Sequence, residues 1–376
     1  MMDSLDVHAI KQRCRGIALA AVLLLSAFFG FTVFSPLFLA VFALKLPFAR
    51  FVVDSIICTW FALAVATFET VYGIKVTIQG DVSKLDAHAS SIIVLNHRTR
   101  LDWLFFASVQ ARYGSLRRFK ISLKDMLRHA PGAGWAMQAA QFLFMARNWE
   151  RDKNRIEDFM KSFEDVQTYP QLLFFPEGTD LQPQSLQRSQ QYAKKNDLPE
   201  YHYVLHPRTT GFSSLVQSMQ AHNDLKQVID ATIAYPRNIC QDESHLLAGD
   251  LPREIVFKIN CYNVDQIDTS SEAGISKWLE QRWREKEDFL RGFYQNKGTS
   301  DCQSNGFTAC QNLEVERVTF VLGLVCLSGW ITCIIVISWA IVVNVYCFWM
   351  FIFVTVINTA ISTFIGFDKL YSRILS

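Results

Sequence analysis

Hydrophobic and polar positions divide the chain into three stretches. From Gly16 to Leu44 there is no charge and almost every residue is apolar, enough to cross a bilayer core, which needs about 20 helical residues. Ser35-Pro36 breaks this run. A cleaved signal peptide is the competing reading, disfavoured by the length of the run and by the second one directly behind it. That second run, Phe51 to Phe68, carries Asp54. A carboxylate at mid-bilayer costs roughly 2.5 to 3.5 kcal/mol, so this segment is expected to lie shallow or to pair with the first as a hairpin dipping into one leaflet. At the other end, Val318 to Phe367 has no charge over 50 residues, room for two crossings or for one crossing and a re-entrant piece. A polar linker, Thr299 to Asn312, precedes it.

The middle has a different texture. Ile74, Val76 and Ile78 alternate with Lys75, Thr77 and Gln79 before Gly80-Asp81, which predicts a strand and a turn. The stretch SIIVLNHRTRLDW (91–103) predicts a buried strand, a polar loop and a helix from Asp102 to about Tyr113. Pro131 to Trp135 reads as a loop, Gln141 to Ala146 as a short strand, and the charged run Glu150 to Asp165 as a solvated helix. Leu172 to Phe175 and Ala231 to Ala234 read as strands, the latter stopped by Pro236. Ile255, Phe257, Ile259 and Cys261 alternate with polar neighbours, which suggests an edge or half-exposed strand. Leu279, Trp283, Leu290 and Phe293 share one face of a helix over Ser276 to Tyr294. Strands alternating with helices predict an α/β fold, one mixed sheet flanked by helices, with membrane helices at both ends.

Composition sharpens this only locally. Half of the 376 residues are hydrophobic and 19% are charged. The net charge of +2 is too small to argue for a nucleic-acid partner. Arg98, Arg100, Arg117, Arg118, Lys120 and Lys124 cluster around the 91–103 stretch, which suggests anionic head groups or phosphates. The nine cysteines are scattered without CxxC or metal-ligand spacing, so free thiols are expected and no metal or cofactor. Lys11, Arg13 and Arg15 precede the first apolar run, Arg317 the last, and Lys369 and Arg373 follow it. Basic residues at both ends predict an even number of crossings and a middle region on the cytosolic membrane face.

His97 and Asp102 are the candidate chemistry. A carboxylate beside an imidazole fixes its tautomer and stabilises the imidazolium formed when it accepts a proton. No serine or cysteine nucleophile is obvious beside the pair, so the hydroxyl to be activated belongs to a substrate, which points to transfer to an alcohol. The spacing alone is weak: His245 and Asp250 repeat it, without the strand before or the aromatic helix after. No G-x-S-x-G elbow is present to support a hydrolase.

Four blocks in order, NHRTRLD (96–102), FMAR (144–147), FPEGTD (175–180) and ATIAYP (231–236), resemble the glycerophospholipid acyltransferase superfamily. NHRTRLDW, PGAGWAMQ, PEGTD, YVLHPRTTGF and HLLAGDLPREI are similar to its lysocardiolipin and lysophosphatidylinositol acyltransferase branch. Asp180 stands where the wider superfamily has arginine, which supports that branch and weakens a lysophosphatidate acceptor, whose phosphomonoester would profit most from a guanidinium. The resemblance implies the glycerolipid acyltransferase fold and acyl transfer from acyl-CoA, a co-substrate rather than a cofactor, to a lysophospholipid. It implies His97 as general base, Asp102 as its orienting partner, Arg147 on the acceptor phosphate, and Glu177, Gly178 and Thr179 shaping the acceptor site. Asp180, His206 and Arg208 are further candidates at the head group, and Phe105, Phe106 and Trp135 for an acyl groove, with core packing as the competing role. A catalytically silent lipid-binding scaffold is the alternative of another class, disfavoured by the intact His97–Asp102 pair. The expected organisation is a cytosolic tip and membrane hairpin (1–71), a catalytic domain (72–298), a linker (299–316) and a C-terminal membrane hairpin with a short tail (317–376). The resemblance places the protein in the endoplasmic reticulum.

Overall fold

The computed structural model describes residues 2–46, 48–146, 148–164, 169–222, 225–295 and 313–370. Among them, one sheet is formed by β1 (Lys75–Gly80), β2 (Ser91–Leu95), β3 (Phe119–Lys124), β4 (Leu143–Met145), β5 (Gln171–Phe174), β6 (Gln227–Ala234) and β7 (Glu254–Asn263). The strand order is β1-β7-β6-β2-β5-β3-β4. Every neighbouring pair is parallel except β6 with β7, so the sheet is mixed, as expected.

The helices are α1 (Met2–Ala43), α2 (Ala49–Ala66), α3 (Asp102–Tyr113), α4 (Ala133–Ala139), α5 (Trp149–Glu164), α6 (Pro183–Lys195), α7 (Thr209–Ala221), α8 (Glu243–Ala248), α9 (Glu272–Gln295), α10 (Leu313–Val343) and α11 (Val345–Phe364). Strand β2 is buried throughout and apolar from Ile92 to Leu95 because both of its faces are covered. Ile93 and Leu95 pack with α2, α3 and the first half of α1, through residues such as Phe61, Leu104 and Leu19. Ile92 and Val94 pack against α5, α7 and α9, through Met160, Leu215 and Trp283.

Among the described residues, four helical spans are long and apolar enough to cross a membrane: Ala9–Ala43, Ala49–Val71, Glu316–Val343 and Val345–Phe364. The two pairs differ. The N-terminal spans are about half buried against the rest of the protein, whereas α10 and α11 keep most of their apolar surface outward. Asp54 is not offered to lipid at all. It is 2% exposed and bonded by Arg50 Nε at 2.9 Å and Lys120 Nζ at 2.8 Å. The hairpin is thus docked on the α/β body, and the apolar run tolerates a carboxylate because two cations meet it.

Other expectations need correction. Ser35-Pro36 does not break the first run: α1 continues through it, and Ser35 Oγ donates at 3.2 Å to the Thr32 carbonyl, the group that Pro36 leaves without an N–H partner. Pro131 to Trp135 is not wholly loop, since α4 starts directly after Gly132 and seats Trp135 against Phe28 and Phe31. Strand β7 is not an edge but lies between β1 and β6. The half-exposed reading holds: Lys258, Asn260 and Tyr262 are half-buried, with Asn260 donating to Asp230 at 3.3 Å and Lys258 lying 4.5 Å over the Phe289 ring of α9. Helix α5 is solvated on one side only, with Ile156, Phe159, Met160 and Phe163 buried. The linker 299–312 lies outside the described residues.

The two ends of the chain meet in one ion cluster. Arg112 of α3 donates to Glu316 of α10 through Nε and Nη2, both at 2.7 Å, and to Glu69, in the π-helical turn closing α2, through Nη1 at 2.9 Å. Farther along α10, Trp330 packs so closely on Gly30 of α1 that any side chain there would overlap its ring.

Candidate active site

The site is built at the carboxyl end of β2, where ligands collect in parallel α/β sheets. Asn96, the first residue past the strand, mimics one more rung of the ladder. Its Oδ1 accepts from Ile233 N at 2.8 Å and its Nδ2 donates to Ile233 O at 3.2 Å, pinning the loop to β6. The chain then turns through residues 97–101 into α3, which brings Asp102 back to His97.

The expected pair is formed. His97 Nδ1 lies 3.1 Å from Asp102 Oδ2, with the carboxylate wholly buried and the imidazole partly exposed. The same oxygen accepts from the backbone N–H groups of Arg98 at 2.6 Å and Thr99 at 2.9 Å, and Oδ1 accepts from Thr99 Oγ1 at 3.2 Å and the Tyr235 hydroxyl at 2.6 Å. Five polar contacts thus converge on this one buried carboxylate. The His97 ring rests on Phe175, with centroids 4.3 Å apart. Its carbonyl accepts from Leu181 N at 2.8 Å, so the EGT loop and the loop that carries His97 hold one another.

Glu177 points inward. Its Oε1 accepts from His97 N at 3.2 Å and Trp283 Nε1 at 3.3 Å, and its Oε2 from Leu205 N at 3.2 Å. Gly178 follows with φ 70°, a left-handed turn that glycine makes without strain and that leaves the Arg208 side chain packed beside it. Thr179 Oγ1 donates to Asp180 at 3.4 Å. Burial pushes the Glu177 carboxyl up to about 8, against those N–H donors. A raised carboxyl favours folding at low pH and loses that advantage as pH climbs through its folded value. The stability of the wild type relative to Glu177→Gln should therefore fall between the ordinary value of 4.5 and about 8. Denaturant titrations across that range check it, and a pH-independent difference would refute it.

Several other sequence candidates take different places. Arg147 lies outside the described residues. Asp180 is nearly buried; burial works against its charge, while a bond from Gln182 Nε2 at 2.7 Å and the neighbouring His97 and Arg100 keep its carboxyl low. His206 stacks on Tyr201 at 4.3 Å and lies 3.0 Å from the Pro199 carbonyl, a packing role rather than an open one. Arg208 is exposed. Phe105 and Phe106 are core residues against Phe68 and Phe257, and Trp135 packs under α1. An apolar cleft lies elsewhere, between α1, α2, α4 and α10, lined by Phe31, Trp60, Phe61, Trp103, Phe142 and Trp330 among others. The second H-x4-D copy dissolves. His245 Nδ1 sits 2.9 Å from Asp242, the N-cap of α8, while Asp250 accepts from Asn238 at 3.0 Å.

Three contributors escaped the sequence reading: Tyr235, Trp283 and Gln241, whose Nε2 donates to Arg98 O at 3.0 Å. Tyr235 lies inside the ATIAYP block, where it reads as the residue that ends a strand.

Comparison with known proteins gives the family. The profile described as "Acyltransferase" matches residues 74–235, and "Acyltransferase C-terminus" matches residues 245–322. Lysocardiolipin acyltransferase 1 of Gallus gallus is 43% identical over 281 residues, covering 75% of this chain and 74% of that protein. Lysophosphatidylinositol acyltransferase 10 of Caenorhabditis elegans is 39% identical over 251 residues, covering 66% and 63%. The crystal structure of the 1-acyl-sn-glycerophosphate acyltransferase PlsC from Thermotoga maritima aligns with a TM-score of 0.48 at 13% identity, over 76% of this chain and 97% of that one. On the two profile matches and these sequence relatives, the chain belongs to the acyltransferase family, within the branch that holds the lysocardiolipin and lysophosphatidylinositol acyltransferases.

Proposed function

We propose that the protein transfers an acyl group from its coenzyme A thioester to a free hydroxyl of a lysophospholipid, lysophosphatidylinositol or lysocardiolipin, with His97 as general base. The observation that carries this reading is the 3.1 Å contact from His97 Nδ1 to a buried carboxylate, on a ring still partly open. With Nδ1–H donating to Asp102, Nε2 is left as the acceptor. It takes the proton of the lipid hydroxyl as that oxygen attacks the thioester carbonyl. The tetrahedral oxyanion then collapses, the C–S bond breaks, and the imidazolium returns its proton to the departing thiolate. Base catalysis of this kind supplies roughly 10² to 10⁴-fold, and holding two lipidic substrates together supplies much of the rest.

The apolar cleft between the N-terminal helices and α10 is the receptacle for an acyl chain in this reading. Arg208 beside Gly178, and Arg147 by the resemblance, meet the acceptor phosphate. The protein is an integral membrane enzyme of the endoplasmic reticulum with its sheet on the cytosolic face, as its flanking basic residues argue.

The test supplies labelled acyl-CoA and a panel of lysophospholipids to purified protein. Label should enter lysophosphatidylinositol or lysocardiolipin. Label entering lysophosphatidate alone would replace the acceptor named here, and no label in any lipid would overturn the activity.

A further inference from the structure

Asp102 is held from two sides. The loop supplies its own N–H groups, and Tyr235 reaches in from the end of β6 to donate to Oδ1 at 2.6 Å. Tyr235 is itself fixed, 2% exposed, edge-on to Phe105 at 6.3 Å, with its backbone N–H donating to the Tyr294 hydroxyl of α9 at 3.1 Å. Burial and the adjacent carboxylate push the Tyr235 phenol well above its ordinary value, so it stays a donor at every working pH.

Resting on the reading of His97 as base, we propose that Tyr235 is a positioning residue for the reaction: its hydroxyl turns Asp102 so that Oδ2 faces the imidazole, and it withholds part of the carboxylate's charge from His97. Charge drawn toward Oδ1 is charge not available to stabilise the imidazolium. The donor therefore sets how firmly His97 keeps a proton, and so where the acid limb of kcat/KM falls. Other charged or titratable neighbours of the pair are Arg98 and Arg100 on the loop, Glu177 and Asp180 after β5, and Tyr294 on α9. The Phe175 ring under His97 carries no charge.

Two replacements at one position give opposite signs. Tyr235→Phe removes the donor. The acid limb should move to higher pH by about half a unit or more, and kcat should fall roughly tenfold, the loss of one bond to a charged group. A fluorotyrosine placed at 235 has a more acidic phenol and donates more strongly, so the limb should move to lower pH. His245→Ala, an exposed ring on the cap of α8, should leave the limb in place. A hydroxyl that merely filled space would produce neither shift. An unmoved limb in Tyr235→Phe, or a limb that moves the same way in both replacements, would overturn the inference. Should Tyr235→Phe fail to fold, the fluorotyrosine protein, equal in shape to the wild type, still decides by whether its limb drops. An active His97→Ala enzyme would sink the base assignment itself, whereas an inactive one beside an unshifted Tyr235→Phe would sink only this proposal.

Discussion

Replacing His97 with alanine should reduce acyl transfer by about 10² to 10⁴-fold while the protein still folds and inserts. The imidazole makes one side-chain hydrogen bond, and the loop is held independently by Asn96, by the Leu181 N–H on the His97 carbonyl, and by the Arg98 and Thr99 N–H groups on Asp102. His245→Ala is the matched control. That ring is exposed and serves only the cap of α8, so transfer should continue at the wild-type rate. Initial rates with acyl-CoA and the accepting lysophospholipid, together with a melting curve for each variant, check both. A His97→Ala enzyme of normal rate would remove the base from the mechanism.

Asp54→Ala should cost about 3 to 5 kcal/mol of stability, the loss expected when one member of a buried ionic group is deleted. Arg50 is 5% exposed and Lys120 1%, so neither cation can turn to water when its partner goes. Burial already pulls the Lys120 amine down to about 8 with the carboxylate present; without it, the amine should be neutral at physiological pH. Adding Lys120→Met to Asp54→Ala should recover part of the loss, because an apolar side chain in that place has no charge to desolvate. Thermal unfolding in detergent reads both steps. An Asp54→Ala protein that melts with the wild type would show that the hairpin is held by its apolar contacts alone.

Much of this was legible in the residues. Strand β2 announces itself by the unbroken apolar run from Ile92 to Leu95, and α9 because Leu279, Trp283 and Leu290 recur at helical spacing. The His97–Asp102 pair was readable because both partners lie on one short loop. What escaped reading is what depends on distant chain. Asp54 looked stranded because its second cation is 66 positions away on β3. Strand β7 looked like an edge because polar alternation has the same appearance whether water or a neighbouring helix receives it. Glu177 is a further case: the E-G-T block by itself suits a plain turn, and nothing near it in sequence announces that its carboxyl accepts from the His97 backbone and from an indole of α9, 106 residues on.

The grip of Arg112 on Glu69 and Glu316, with Trp330 lodged against Gly30, makes the C-terminal hairpin a poor candidate for exchange. A chimera that borrows this hairpin from a relative inherits two fitting requirements: a carboxylate where Glu316 stands, and a flat ring that can slide over a bare backbone position. Helices grafted for hydrophobic length alone would satisfy neither, and the graft junction would leave a guanidinium half-answered on α3.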